Sequence, residues 1–553
     1  MTASPGAVPD TVPDTILSIA GLSVRLPAGA DRDRALSDVS LSLAANEILC
    51  VVGESGSGKS IMANAIMRLL PSEVTIDGGR VMFEGRDLAA ATPAEMRSVR
   101  GAGIAMIFQE PMTALNPLRT IGDQIGEMFS IHTELSAAEI RARVLALLED
   151  VRIPDPKAAA RAYPHELSGG QRQRAMIAMA LALDPRVLIA DEPTTALDVT
   201  TQAQILSLIR DLQKRKKTAV LFITHDFGVV AEIADRVVVM QHGSIVEQGD
   251  AASVLNQPQH PYTKQLIAAV PPLTAPPPRK LSDDIILSID NVSKTYRTGG
   301  FLGRGARVTP AVRNVSLKLP RGATLGIVGE SGSGKSTLAR CIVRLIDPDN
   351  GSIVLEGKDW AKMKREHVRR ETRHIQMVFQ DPFASLNPRR KAGDLVAQGP
   401  IVHGTPPAQA IADAKELFAL VGLDPSAIDR FPHEFSGGQR QRIGLARALA
   451  LRPEVLIADE AVSALDVSVQ AQVLKLLAGL RARLGLSIVF ITHDLRVAAQ
   501  ICDLVAVMKD GEVVEQGLAG DVFGRPQHPY TRALLDSIPG GEFARRHEAP
   551  MLA

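Results

Sequence analysis

Cysteine is scarce in this chain: three residues in 553, Cys50, Cys341 and Cys502, stand far apart with no Cys-x-x-Cys pair. That spacing excludes a disulfide framework, a zinc site and a four-thiolate iron–sulfur cluster, each of which needs clustered thiols. Buried free thiols are expected. Long apolar runs are also missing, since the longest, such as residues 175–183, reach about half of the ~20 residues that cross a bilayer as a helix. Residues 1–14 lack the basic and apolar regions of a signal peptide; rich in Pro, Ala and Asp without periodicity, they read as a disordered arm. Charge of one sign is absent as well. With 62 Lys and Arg against 61 Asp and Glu the formal net charge is +1, so the basic field that nucleic-acid binding needs is lacking. Nucleic acid drops as a partner, and a soluble chain that stays in the cytoplasm is expected.

What the chain has is a repeat. Its 553 residues, 45% of them hydrophobic, exceed what one core usually supports, so two domains are the minimum. One ordered motif set occurs twice. The first copy is Gly53-Glu-Ser-Gly-Ser-Gly-Lys59-Ser60, Gln109, Leu167-Ser-Gly-Gly-Gln171, Asp191-Glu192 and His225. The second is Gly329 to Ser336, Gln380, Phe435-Ser-Gly-Gly-Gln439, Asp459-Glu460 and His493. Spacing from Ser168 to His225 equals that from Ser436 to His493, so this stretch is repeated without insertion, and each copy is long enough to be a domain.

In each half an apolar strand, 48–52 or 325–328, runs into the glycine-rich loop, and a helical pattern follows at 61–70 or 337–345. Short β-branched runs at 187–190 and 455–458 end on the acidic pair, and runs at 219–223 and 488–491 end on Thr-His-Asp. Three such strands with intervening helices predict an α/β, doubly wound sheet whose ligands sit at the strand C-termini. The expected organisation is an arm (1–14), a first domain (15–265), a proline-rich linker (266–284) and a second domain (285–553). The linker's Val270–Arg279 stretch is expected to be an extended, semi-rigid spacer.

Gly-x-x-x-x-Gly-Lys-Ser needs its glycines because backbone amides must turn inward around phosphate oxygens. In the first copy Gly53, Ser55, Gly56 and Gly58 form the cradle, Lys59 reaches the β/γ-phosphates, and Ser60 can hold Mg²⁺, with Ile61 next in the helix. Gly329, Ser331, Gly332, Gly334, Lys335, Ser336 and Thr337 repeat the set. A glycine-rich turn that binds nothing is the bland alternative, and two copies in a strand-to-helix context weigh against it. Asp191 and Asp459 sit where a Mg²⁺ ligand is required, and Glu192 and Glu460 occupy the place of the residue that polarises attacking water. A lone Asp-Glu is commonly just a helix N-cap; the phosphate loop upstream favours chemistry. ATP and Mg²⁺ are the expected ligands.

Leu-Ser-Gly-Gly-Gln, with an Asp-Glu pair after it and Thr-His-Asp beyond, resembles the nucleotide-binding domain of the ATP-binding cassette family, and the resemblance covers essentially the whole chain. It implies two tandem P-loop NTPase, RecA-like domains, each with a helical signature subdomain and an antiparallel β subdomain. By matching position it also implies that Ser168, Gly170, Ser436 and Gly438 contact the γ-phosphate held by the opposite domain, pairing Lys59 with Ser436 and Lys335 with Ser168. Gln109 and Gln380 would reach Mg²⁺ and sense a transmembrane partner, His225 and His493 would touch the γ-phosphate, and Ala196–Asp198 and Ala464–Asp466 would be the D-loops. A solitary loop histidine is more often solvated or packed, but the two identical contexts here favour function. Tyr296 fits the adenine-stacking aromatic, whereas its counterpart Leu26 has no π-face. Ala461 replaces the usual proline, present in the first copy as Pro193, and leaves both carboxylates in place, so that site is expected to be active.

Two further matches narrow the resemblance. Residues 109–117 and 380–388, together with Gln259-His-Pro-Tyr-Thr263 and Gln527-His-Pro-Tyr-Thr531, are similar to dipeptide, oligopeptide and nickel importer ATPases with two subunits fused. Alone, each His-Pro-Tyr segment reads as a turn that starts a helix. The resemblance implies an ATPase working with two transmembrane permease subunits and an extracytoplasmic substrate-binding protein, peripheral on the cytoplasmic face of the inner membrane. Some relatives carry an iron–sulfur cluster in the C-terminal extension; neither extension here has a cysteine, so none is expected. A ribosome-associated tandem cassette ATPase is the rival, and the short proline-rich connection and missing basic arms weigh against it. A DNA-repair tandem cassette ATPase would need zinc-binding cysteine pairs.

Overall fold

The computed structural model describes residues 15–30, 32–195, 197–298, 307–381, 385–462, 465–541 and 543. The expected arm at 1–14 and the D-loop residues Ala196 and Ala464 lie outside the described residues. The chain forms two compact units, one running to Val270 and the other from Pro271, with residues 198–200 grouped with the second.

In the first unit the strands are β1 (Thr15–Arg25), β2 (Arg34–Ala44), β3 (Ile48–Val52), β4 (Thr75–Phe83), β5 (Arg86–Asp87), β6 (Ile104–Ile107), β7 (Val187–Asp191), β8 (Ala219–Thr224), β9 (Arg236–Gln241) and β10 (Ser244–Asp250). Four make an antiparallel sheet in the order β2-β1-β4-β5, and six make a second sheet in the order β10-β9-β3-β8-β7-β6. Within the six, β3 pairs in parallel with β8 and β9, and β7 in parallel with β6 and β8; only β10 is antiparallel. Every residue of β3, β7 and β8 is buried, which is why these strands are continuously apolar rather than alternating. Helix Lys59–Met67 shares one core with both sheets: its Met62 and Ile66 cluster with Leu17 and Ile19 of β1 and with Val51 and Ile189 of the parallel strands. That places the loop feeding the helix at the C-terminal edge of β3, beside the ends of β7 and β8.

The second unit repeats the plan with β11 (Ile285–Thr298), β12 (Arg307–Pro320), β13 (Thr324–Val328), β14 (Asn350–Leu355), β15 (Lys358–Asp359), β16 (Ile375–Val378), β17 (Val455–Asp459), β18 (Ser487–Thr492), β19 (Leu504–Lys509) and β20 (Glu512–Leu518). The sheet orders are β12-β11-β14-β15 and β16-β17-β18-β13-β19-β20. Each unit also inserts a set of helices in sequence between β6 and β7 or between β16 and β17. In the second, Leu395, Ala414, Phe418 and Ile443 from helices Ala392–Val402, Pro407–Leu420 and Gly437–Leu449 pack together. In the first, Thr120 and Ser136 cap helices Ile121–His132 and Ala137–Asp150, the latter through a capping box with Glu139.

Two features differ from the sequence-based expectation. The phosphate-loop helices begin at Lys59 and Lys335, ahead of the apolar periodicity at 61 and 337, because glycines at 58 and 334 supply a left-handed N-cap that periodicity does not register. The proline-rich stretch, expected as a spacer, makes specific contacts inside the second unit. Gln500 donates from Nε2 to the carbonyls of Pro272 (2.8 Å) and Thr274 (3.0 Å), and Leu273 and Ala275 pack against the apolar cluster. Arg279 forms a bidentate pair with Asp503 at 2.6 and 2.7 Å. Among the described residues, no helix is long and apolar enough to cross a membrane.

Candidate nucleotide site

Each unit builds the same constellation where β3 or β13 ends. Gly58 and Gly334 have φ of 104° and 103°, a region that favours glycine, and a Cβ at Gly334 would sit 2.1 Å from the Ala311 carbonyl. The turn they permit aims the first amides of the helix at the loop's centre, where Ser55, Gly56, Ser331 and Gly332 are exposed. Both lysines are buried, and each donates from Nζ to carbonyls of its own loop: Lys59 to Gly53 (2.7 Å) and Glu54 (2.9 Å), Lys335 to Gly329 (2.8 Å) and Glu330 (2.7 Å). Burial lowers the Lys335 pKa, opposed by Glu460 and Asp459. Ile61 packs against the core of its unit.

The residues expected to hold Mg²⁺ meet across the sheet edge. Ser60 donates its hydroxyl to Asp191 Oδ1 at 3.1 Å, and Ser336 to Asp459 Oδ1 at 3.0 Å. Hydroxyl, carboxylate and the amide oxygen of Gln109 or Gln380 are all hard oxygen donors, the set that Mg²⁺ prefers, so the residues present fit that ion. Burial, reinforced by the neighbouring Glu192 charge, pushes Asp191 up to about 6 against the opposing Ser60 hydrogen bond and Lys59 charge. Asp459 is raised for the same reasons.

The next residue behaves oppositely. Glu192 and Glu460 adopt φ of 47° and 49°, a left-handed conformation uncommon for side chains other than Gly, Asn and Asp. Three donors converge on Glu192 Oε2: Gln109 Nε2 at 3.0 Å, the Thr195 hydroxyl at 3.0 Å and His225 Nδ1 at 3.3 Å. Burial alone would raise this carboxyl, but the hydrogen bond and charge of His225, with Lys59 and Thr195, hold it down to about 2. Glu460 takes Gln380 Nε2 at 2.6 Å and His493 Nδ1 at 3.5 Å and is lowered by the same partners, His493 first; His493 in turn is raised by Glu460 against its burial. An ionised carboxylate with hydrogen-bonding neighbours can orient and polarise a water molecule.

The signature serines are helix N-caps. Ser168 accepts from the Gln171 amide at 3.3 Å while Gln171 Oε1 accepts from the Ser168 amide at 3.0 Å, and Ser436 with Gln439 repeats both distances. The helices behind them, Gly169–Ala180 and Gly437–Leu449, begin there with N-terminal amides and a positive dipole end suited to phosphate. Gly170 and Gly438 allow close packing: a Cβ there would lie 2.8 Å from Thr201 Cγ2 or 2.6 Å from Val469 Cγ1.

Tyr296 lies on β11 opposite Thr309, 37% exposed. In both units the sheet register slips at a left-handed residue, Gly21 or Asn291, and Leu26 follows the first at the interval by which Tyr296 follows the second. Leu26 is therefore its structural counterpart, and it packs against the core.

Sequence reasoning did not single out Thr195, whose hydroxyl on Glu192 follows from the left-handed turn, or Arg32, which donates to the Gly56 carbonyl at 2.6 Å. Nor did it single out Gln171 and Gln439 as capping residues, for which the Ser-x-x-Gln spacing is the available signal.

A family model described as "ABC transporter" matches residues 36–195 and 312–463. A second, "Oligopeptide/dipeptide transporter, C-terminal region", matches residues 246–286 and 514–551. Among curated proteins, the chain is 46% identical over 570 aligned residues to the glutathione import ATP-binding protein GsiA of Escherichia coli, covering 97% of this chain and 92% of that protein. It is also 46% identical to the peptidoglycan transport ATP-binding protein YejF of Agrobacterium fabrum, covering 95% and 97%. A solved dimeric ATP-binding cassette in a post-hydrolysis state with ADP and Pi matches at 30% identity over 42% of this chain and 98% of its own, with a TM-score of 0.39.

Proposed function

Since the chain belongs to the ATP-binding cassette transporter family, as an importer ATPase of the oligopeptide/dipeptide type with two cassettes in one polypeptide, we propose the residue roles, partners and cargo class that follow. Lys59 and Lys335 leave their loop carbonyls to meet the β/γ-phosphates, and the amides of Gly56, Gly58, Gly332 and Gly334 cradle them. Ser60, Asp191 and Gln109 in one unit, and Ser336, Asp459 and Gln380 in the other, hold Mg²⁺. That ion, when bound, neutralises charge on the phosphate oxygens. Glu192 and Glu460 polarise the attacking water; His225 and His493 contact the γ-phosphate and, without nucleotide, hold the glutamates. Ser168, Gly170, Ser436 and Gly438 contribute N-terminal amides and hydroxyls to the same phosphate.

Two transmembrane permease subunits engage this ATPase near Gln109 and Gln380 on the cytoplasmic face of the membrane, and an extracytoplasmic binding protein delivers cargo. Relatives named for glutathione import and for peptidoglycan transport support small peptide-bearing solutes as the cargo class.

The observation that carries the assignment of roles is the repeated serine–aspartate contact at 3.1 and 3.0 Å, followed in each unit by a glutamate held by glutamine and histidine. Glu192→Gln with Glu460→Gln should abolish steady-state hydrolysis while Mg-ATP still binds, because an amide keeps the fold but cannot polarise water. Near-normal turnover in that double variant would remove both glutamates from the mechanism.

A further inference from the structure

The His-Pro-Tyr segments lie outside the motifs that handle nucleotide, yet each reaches the phosphate loop of its own unit. In the first, Glu247 on β10 accepts from the amides of Gln259 (2.7 Å) and His260 (3.0 Å), and His260 Nδ1 accepts from the Tyr262 amide at 3.2 Å. These bonds start helix Pro261–Ala268 and deliver the Tyr262 ring into the interior, where it is 6% exposed. Its phenol oxygen accepts from the Glu54 amide at 3.1 Å. The second unit repeats every step: Glu515 takes Gln527 (2.8 Å) and His528 (3.1 Å), His528 Nδ1 takes Tyr530 (3.1 Å), and Tyr530 Oη takes the Glu330 amide at 3.3 Å.

The bonded amide belongs to a peptide with a second commitment. The plane joining Gly53 to Glu54 gives its N–H to Tyr262 and its carbonyl to Lys59 Nζ at 2.7 Å; that joining Gly329 to Glu330 gives its N–H to Tyr530 and its carbonyl to Lys335 Nζ at 2.8 Å. One peptide is thus pinned from both ends, by the lysine that must reach phosphate and by a tyrosine of the extension. When the lysine swings to nucleotide the tyrosine bond still fixes the plane, and a partly buried amide deprived of that partner would favour its rotation.

Resting on the ATPase assignment above, we infer that Tyr262 and Tyr530 are positioning residues for the phosphate loops, so that the His-Pro-Tyr extension of each unit sets nucleotide affinity from outside the nucleotide-binding motifs. Neither phenol touches nucleotide; each acts through the peptide that carries the lysine's resting carbonyl.

The test uses the full chain. Tyr262→Phe with Tyr530→Phe keeps both rings packed and removes only the hydroxyls. The KM for Mg-ATP should rise about fivefold while kcat stays within about twofold, and the rise in Tm produced by saturating Mg-ATP should shrink with the nucleotide-free Tm unchanged. His260→Ala with His528→Ala, which loosens the tyrosine without altering it, should raise KM in the same direction. A double Phe variant with wild-type KM, or one whose KM rises only with an equal fall in kcat and in nucleotide-free Tm, would overturn the inference. A wild-type chain that fails to hydrolyse Mg-ATP would instead overturn the ATPase assignment, and this inference with it.

Discussion

Neutralising two adjacent carboxylates should move the stability of the nucleotide-free first unit in opposite directions. Asp191 is buried and raised to about 6 from 3.8. A carboxyl raised on folding binds its proton more tightly in the native state, so at pH 7 the folded unit carries a penalty that is relieved as pH falls from about 6 to about 4. The gap corresponds to about 3 kcal/mol at most. Asp191→Asn keeps an oxygen for the Ser60 hydroxyl but forfeits the attraction of Lys59, so about half, ~1–2 kcal/mol, should be realised, or about 3–6 °C in Tm. Glu192 is lowered to about 2 from 4.5; its ionised form stabilises the fold above about pH 4.5, and that stabilisation is lost as pH falls toward 2. Glu192→Gln at pH 7 should therefore lower the Tm by a comparable amount, His225 losing its charged partner. Differential scanning calorimetry with chelator and no nucleotide, at pH 7 and pH 4.5, reads both effects, the transition of the unmutated second unit serving as an internal reference. The gain from Asp191→Asn should narrow at pH 4.5 as the wild-type carboxyl takes up its proton. Shifts of the same sign in the two variants, or a gain independent of pH, would refute the assignment of burial to Asp191 and of ion pairing to Glu192.

Three other expectations follow from the geometry. The Lys335 site should bind ATP about fivefold more tightly than the Lys59 site, since stacking on an aromatic contributes roughly 1–3 kcal/mol against alanine and leucine recovers part of it; Leu26→Tyr should narrow the gap, and Tyr296→Leu leaving affinity at the second site unchanged would refute the stacking role. Gly334→Ala should abolish fluorescent-nucleotide binding at its site, because the added carbon lands 2.1 Å from a backbone carbonyl at a φ of 103°; retained affinity would show that the loop has another accessible shape. Gly438→Ala should cost about 1–3 kcal/mol by overpacking, and Val469→Ala in the same chain should restore part of it, with additive losses in chemical denaturation counting against the close approach.

The sheets and the phosphate loops were legible because their causes are local. A strand buried on both faces must be continuously apolar, and 187–190 and 219–223 announced β7 and β8 to within a residue or two. The Gly-x-x-x-x-Gly-Lys-Ser spacing located the lysines and serines that the structure brings beside the two aspartates. What escaped depends on distant partners. Nothing within residues 259–263 indicates that the Tyr262 hydroxyl meets Glu54. Nothing around Glu192 signals a left-handed backbone, and two of the donors on its carboxylate, Gln109 and His225, come from distant parts of the sequence. The proline-rich stretch has the composition of a spacer, and its attachment to the second unit rests on Gln500 and Asp503, more than two hundred residues downstream.

That attachment determines where the two halves can be separated. The Asp503 carboxylate serves three groups at once, Arg279, Arg481 and the Thr324 amide that opens β13, while its own amide donates to the Thr324 carbonyl. A gene divided at the first residue of β11 would produce a second half in which this carboxylate has lost its bidentate partner and the apolar seat of Leu273 and Ala275 lies open to water. A division just before Pro271 would carry the proline-rich strap along as part of that half's own surface. What looks in the sequence like the seam of a fusion is thus already the leading edge of the downstream protein, and a natural split of such a gene would be expected to leave that edge behind as an N-terminal leader.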